Sequence, residues 1–299
     1  MIVVHRSLLR PECRDYSLVL QAMNVEHQLE RGVFGWRVLV DEDNAAYAQE
    51  QWRMYVLENR ARARPVRVGN VEPRPGAVFG AAIWALTLLL FFSMQSNYSF
   101  YVEWTAAGRL DVAALRTGDW WRTITALTLH ADVAHLMANI CIGAVFGTLL
   151  AREIGPGYAW TLILLCGAVG NFINALLQRP THISIGASTA VFAALGLLGA
   201  YLWIARRMLM RSWASRLSPV VCAVILLAWL GTGNERTDIV AHLTGFVSGF
   251  ALGAILGRLP RRPGGDIQRQ WLAGGAALIV IFLAWSLALG TTDHRLPSF

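Results

Sequence analysis

Seven stretches of the chain run uncharged for close to the ~20 residues a helix needs to cross a bilayer, and no other feature restricts the fold as strongly. They are residues 77–95, 134–151, 158–178, 186–205, 217–232, 239–257 and 271–290. Backbone polar groups in hydrocarbon must be bonded within the segment, so each run reads as a helix. Composition agrees: 55% of the 299 residues are hydrophobic and 15% charged, with a mean hydropathy of +0.44. An ordinary soluble protein is excluded. The expected class is an all-α polytopic membrane protein with a small N-terminal α+β soluble domain.

The basic balance fits the same picture. A net charge of +7 carried by arginines could suggest nucleic acid. Here the arginines gather between apolar spans, where they set orientation instead. Arg206, Arg207, Arg211 and Arg216 follow the fourth span, and Arg258, Arg261, Arg262 and Arg269 follow the sixth. Together with the basic linker before the first span, they mark the cytoplasmic side. The N-terminus is then cytoplasmic, and the long segment between spans one and two faces outward. The expected location is a bacterial inner (plasma) membrane. Residues 1–13 carry no apolar run of signal-peptide length, so the first span is expected to direct insertion.

Residues 1–60 read as the soluble domain, with a strand at Trp36–Val40, a helix over 43–59, and either element over 16–23. No catalytic constellation stands out there. Residues 61–76 are the basic linker, attracted to anionic lipid. Residues 77–257 hold six spans, and 258–299 hold a loop, the seventh span and an outer tail. The segment between spans one and two is about 40 residues long, which favours a function over an idle connection. Its Tyr98, Phe100, Tyr101, Trp104, Trp120 and Trp121 suit the headgroup level. Cys13, Cys141, Cys166 and Cys222 lack metal spacing and read as small core residues.

Spans two, four and six start at the same, outer face, and each start carries unusual polar residues. At 1.5 Å per residue, Asn139, Ser188 and His242 are expected about 5–8 Å below their helix starts. Ser188 follows Gly186-Ala187 where backbone N–H groups lack helical partners and negative charge is favoured. Serine is also common interhelical glue. His242 inside a span needs a partner or a cavity. Gly245, Gly249, Gly253 and Gly257 follow it at every fourth position, a stripe that admits another backbone. If that backbone is span four, a base comes within reach of the Ser188 hydroxyl, the minimal activated nucleophile. His135 and Asn139 share a helix face and can donate to an oxyanion, or can simply bridge helices. His130, His135 and His242 make a poor metal set, since no in-span carboxylate or cysteine completes it. Trp121-Arg122 reads as an interfacial anchor or as the holder of the loop's fold.

These residues together resemble the rhomboid family of intramembrane serine proteases. The resemblance rests on Trp121-Arg122, His130-x4-His135-x3-Asn139, Gly186-Ala187-Ser188, and Ala241-His242-x2-Gly245-x3-Gly249. It covers about residues 77–257. It implies a six-helix core with an appended seventh helix and a Ser188–His242 dyad without a third acid. It also implies an oxyanion hole of His135, Asn139 and the Ser188 N–H, in a cavity open to the outer (periplasmic) face. The implied substrate is a single-pass membrane protein, cut in or near its transmembrane helix, with the bilayer as the other partner. No cofactor, metal or nucleic acid is called for, and no oligomeric state is specified. Two residues depart from the family's habit. Thr189 stands where glycine usually follows the serine, and Phe192 stands for a tyrosine that stacks on the histidine.

Two other classes compete. A catalytically silent relative that binds transmembrane helices predicts loss of Ser188 or His242, and both are present. A transporter predicts polar residues along a path through both leaflets, whereas the inner halves of spans two, four and six are almost wholly apolar.

Overall fold

The computed structural model describes residues 1–8, 10–32, 35–62, 76–206, 212–231, 238–259 and 267–291. The chain falls into two compact units, Met1–Asn70 and Val71–Phe299. Most of the expected basic linker lies outside the described residues.

In the first unit the chain runs β1 (Ile2–Ser7), α1 (Arg10–Ala22), β2 (His27–Gly32), β3 (Gly35–Val40) and α2 (Ala45–Arg62). The sheet is antiparallel in the order β1-β3-β2. Strand alternation puts Val38 and Val40 on one face, where they meet Cys13, Tyr16 and Leu20 of α1 and Ala48 of α2. Burial there pushes the Tyr16 hydroxyl up to about 12. Residues 16–23, open between helix and strand in the sequence, belong mainly to α1.

The second unit opens with α3 (Ala77–Ser96). The long segment after it is folded: α4 (Trp104–Gly108), β4 (Leu110–Asp111), α5 (Val112–Arg116) and α6 (Arg122–Thr125). Then come α7 (Val133–Ile154), α8 (Pro156–Leu177), β5 (Ile183–Ser184), α9 (Ser188–Arg206), α10 (Trp213–Gly231), α11 (Ile239–Leu256) and α12 (Ile267–Thr291). The seven long helices are each apolar enough to cross a membrane. This is a polytopic all-α membrane protein with a small N-terminal sheet.

α9 is the axis of the unit, 78% of its span buried, with α7, α8, α10 and α11 packed around it. α10 begins a turn earlier than its apolar run suggests and carries Pro219 in its interior. The proline removes the donor that would have served the Ser215 carbonyl, and the Ser218 hydroxyl donates there at 2.9 Å. α12 is built in tightly. The Gln270 side-chain amide donates to the Ile154 carbonyl at 3.2 Å and accepts from the Tyr158 N–H at 3.1 Å, across the α7–α8 turn. Its Trp285 donates to the Thr128 hydroxyl at 3.1 Å and stacks on Phe91.

Two expectations are corrected by burial. Trp104 and Trp121 lie inside the fold instead of at its surface, because the folded segment packs into the main core formed by the long helices. Cys141 and Cys222 point outward from their helices and are exposed, so only Cys13 and Cys166 are core residues.

Candidate active site

The segment before α9 is assembled on the folded loop. Arg122 is 5% exposed. Its Nε donates to Asp119 at 2.9 Å, and one terminal nitrogen donates to the carbonyls of Ala106 and Arg109 at 3.2 and 3.1 Å. A buried guanidinium is tolerable only when its donors are used this fully, so Arg122 holds the loop's fold. From that base β4 pairs with β5, and the Ala126 carbonyl accepts from the Gly186 N–H at 2.9 Å.

Gly186 itself has φ +133°, a left-handed conformation that side chains rarely adopt. A Cβ there would lie 2.7 Å from Cε1 and 2.9 Å from Nε2 of His135. The tight turn thus brings the His135 ring next to the start of α9. Ser188 is the first residue of α9, a correction to the expectation that it lies some way down its span. The physical reason is that residues 183–187 form a short strand and turn, and the helix begins only at the serine. Its N–H is therefore among those without an intrahelical partner.

His130 is fully buried behind this turn, and its Nε2 accepts from the Ala187 N–H at 3.4 Å. That bond requires an unprotonated Nε2. Burial, reinforced by the neighbouring His135 ring 5.2 Å away, pushes His130 down to about 3, so it stays neutral. On α7, the Asp132 carboxylate caps the helix by accepting from the His135 N–H at 2.8 Å. One turn on, Asn139 is buried, and its side-chain nitrogen donates to the His135 carbonyl at 3.0 Å.

The glycine stripe of α11 lies on α9. A Cβ on Gly245 would fall on the Thr189 carbonyl oxygen, one on Gly249 on that of Ala193, and one on Gly253 on that of Leu197. At the N-terminal end of this seam the Phe192 and His242 rings meet in a tilted contact, centroids 4.4 Å apart and 35° between planes. Ser188 and His242 thus sit on the facing first turns of two helices in backbone contact. The Thr189 methyl packs into the gap left by Gly170 and Gly245. Two glycines therefore absorb the β-branch. A cavity of ≈ 20 Å³ remains beside the serine, lined by Ser188, Thr189, Gly186, Ala126, Asn171 and Asp238 among others. That is room for about one water.

Sequence reasoning did not single out a second polar cluster here. Asp238 caps α11 through the Ala241 N–H at 3.0 Å and receives Asn174 Nδ2 and His182 Nε2, each at 2.8 Å. Asp238 three residues before Ala241 is a cap signal, and two asparagines inside span three were the other available clue. Among the described residues no group of three His, Cys, Asp or Glu side chains is placed to hold a metal ion.

Ser188 and His242 fall inside a stretch that is similar to known proteins. A family model described as a rhomboid domain matches residues 117–259. Over 261 residues the chain is 28% identical to "Rhomboid protease GluP" of Bacillus subtilis (strain 168), covering 86% of this chain and 48% of that protein. It is 38% identical over 141 residues to "RHOMBOID-like protein 7" of Arabidopsis thaliana, covering 46% and 42%. It is 28% identical over 161 residues to "Rhomboid-like protease 2" of Toxoplasma gondii, covering 52% and 53%. The chain thus spans about half the length of these relatives.

Proposed function

We propose, for a chain whose residues 117–259 match a rhomboid family model, that it is an intramembrane serine endopeptidase with Ser188 as nucleophile and His242 as general base. Ser188 Oγ attacks the carbonyl carbon of the scissile peptide while its proton passes to the His242 imidazole. The oxyanion is held by donors from His135, Asn139 and the Ser188 N–H at the start of α9. His242 then protonates the leaving amine, and a water activated by the same imidazole releases the acyl group. The carrying observation is the α9–α11 seam, where backbone contact and the Phe192–His242 ring contact bring the serine and histidine turns face to face.

The proposed substrate is a single-pass membrane protein cut in or near its transmembrane helix, entering from the bilayer. A peptide bond inside a regular helix is shielded by its own turn, so a helix-breaking stretch is expected at the cut. Arginine placement supports a cytoplasmic N-terminus and a site open to the outer face of a plasma membrane. The proposed modules are 1–60, a linker at 61–76, the protease core at 77–257, and 258–299 with the last helix.

The test is labelling of the detergent-solubilised protein with a fluorophosphonate. Wild type is expected to label, and Ser188→Ala and His242→Ala are expected to lose the label while remaining folded. Undiminished labelling of Ser188→Ala would refute the assignment.

A further inference from the structure

A glycine stripe brings α11 close to α9 but does little to fix how far one helix stands along the other. Ridges and grooves set axial register in ordinary helix pairs, and glycines replace the ridges of α11 at Gly245, Gly249 and Gly253. His242 lies in the first turn of α11, so a slide along this seam carries the displacement straight to the imidazole. Directional bonds must do what shape does not.

The bonds are gathered on Asp238. Its Oδ1 accepts the Ala241 N–H at 3.0 Å, and its own carbonyl accepts the His242 N–H at 3.1 Å. Oδ2 accepts from Asn174 of α8 and from His182 in the segment leading to Ser188, both at 2.8 Å. Asn174 is fully buried and the Asp238 side chain is 15% exposed. His182 is itself fixed, its carbonyl accepting from the Val112 N–H at 3.1 Å beside the β4–β5 pair. One carboxylate therefore ties the start of the histidine's helix to the segment that delivers the serine. Deeper in α11, the Ser248 hydroxyl adds a bond to the Cys166 carbonyl at 2.7 Å, which holds the helix to α8 but not to the serine's segment.

Resting on the serine protease reading, we infer that Asp238 is a positioning residue that sets the axial register of His242 against Ser188 through its bonds to His182 and Asn174. It need not touch substrate. Its effect is to hold the imidazole where the Ser188 proton can be transferred, and small misplacements of such groups cost up to ~10²-fold in rate.

The alternative role, a helix cap and nothing more, is separable by chemistry. Asparagine caps helices as well as aspartate does. Yet the amide introduced by Asp238→Asn keeps only one acceptor oxygen. With that oxygen on the Ala241 N–H, its NH₂ group faces the donors of Asn174 and His182 and can accept from neither. The experiment measures fluorophosphonate labelling of Ser188 at several probe concentrations, which separates the maximal inactivation rate from probe binding, alongside thermal unfolding. Wild type, Ser188→Ala, Asp238→Ala and Asp238→Asn are compared. In both Asp238 variants the maximal rate is expected to fall roughly 10–100-fold with probe binding little changed. Asp238→Asn is expected to unfold near the wild-type temperature, so that slow labelling in a stable protein identifies positioning. Wild-type labelling rates in Asp238→Asn would overturn the inference while leaving the protease reading intact. A folded wild type that does not label would overturn the protease reading, and this inference with it.

Discussion

The central helix α9 has two neighbours that treat it very differently. Against α11 it is pressed into backbone contact at Gly245, Gly249 and Gly253, each lying on an α9 carbonyl. Against α10 the nearest approach at a glycine is Gly199, where an added Cβ would stand 2.8 Å from the Ala223 methyl. Only 6% of the α10 span is buried, compared with 39% of α11. Val221, Ile225 and Trp229 of α10 all face outward. The difference is between backbone laid on backbone and side chains laid on side chains. The two helices carrying the serine and the histidine share the rigid seam, and the helix on the other flank is held mainly by side-chain packing that can yield.

Small substitutions test this contrast directly. Gly249→Ala meets the Ala193 carbonyl with no side chain able to give way, so a cost of about 3 kcal/mol is expected, despite the ~1 kcal/mol that alanine gains in helix propensity. Equilibrium unfolding in mixed micelles measures it. A neutral Gly249→Ala would mean that α11 can retreat, and the rigid seam would be a misreading. Gly199→Ala opposes a methyl on a loosely held helix. The same measurement should give a cost of about 1 kcal/mol, since α10 can back away. If it matched Gly249→Ala, the two flanks would be equivalent. Smallest of all, Ile225→Val trims an outward group of α10 and is expected to stay within about 0.5 kcal/mol of wild type. A large loss there would point to a packing partner on that face.

Much of this arrangement was legible in the sequence because it is periodic. Uncharged runs marked the spans, and a four-residue glycine repeat anticipated the α9–α11 contact. The placement of Ser188 was less accessible. It depends on a two-residue strand pair and on Gly186 at φ +133°, and such short non-local pairing leaves no repeat to read. Asp238, His182 and Asn174 escaped for a related reason. They come from three separate stretches, and each is unremarkable until folding brings the others to it. In the N-terminal unit β3 was readable from its alternation, whereas β2, with the sequence His27-Gln-Leu-Glu-Arg-Gly32, is too polar to announce itself.

The attachment of α12 bears on where this chain can be shortened. The stretch that the rhomboid family model matches stops at 259, and a clone trimmed to it would look complete on paper. It would leave the Tyr158 N–H and the Thr128 hydroxyl without the partners that Gln270 and Trp285 supply, and would open Gly157 where the Gln270 backbone now rests. Thr128 lies two residues before His130, which accepts from the Ala187 N–H beside the serine. The seventh helix is thus packed into the unit that holds the site, past the edge at which the family match stops.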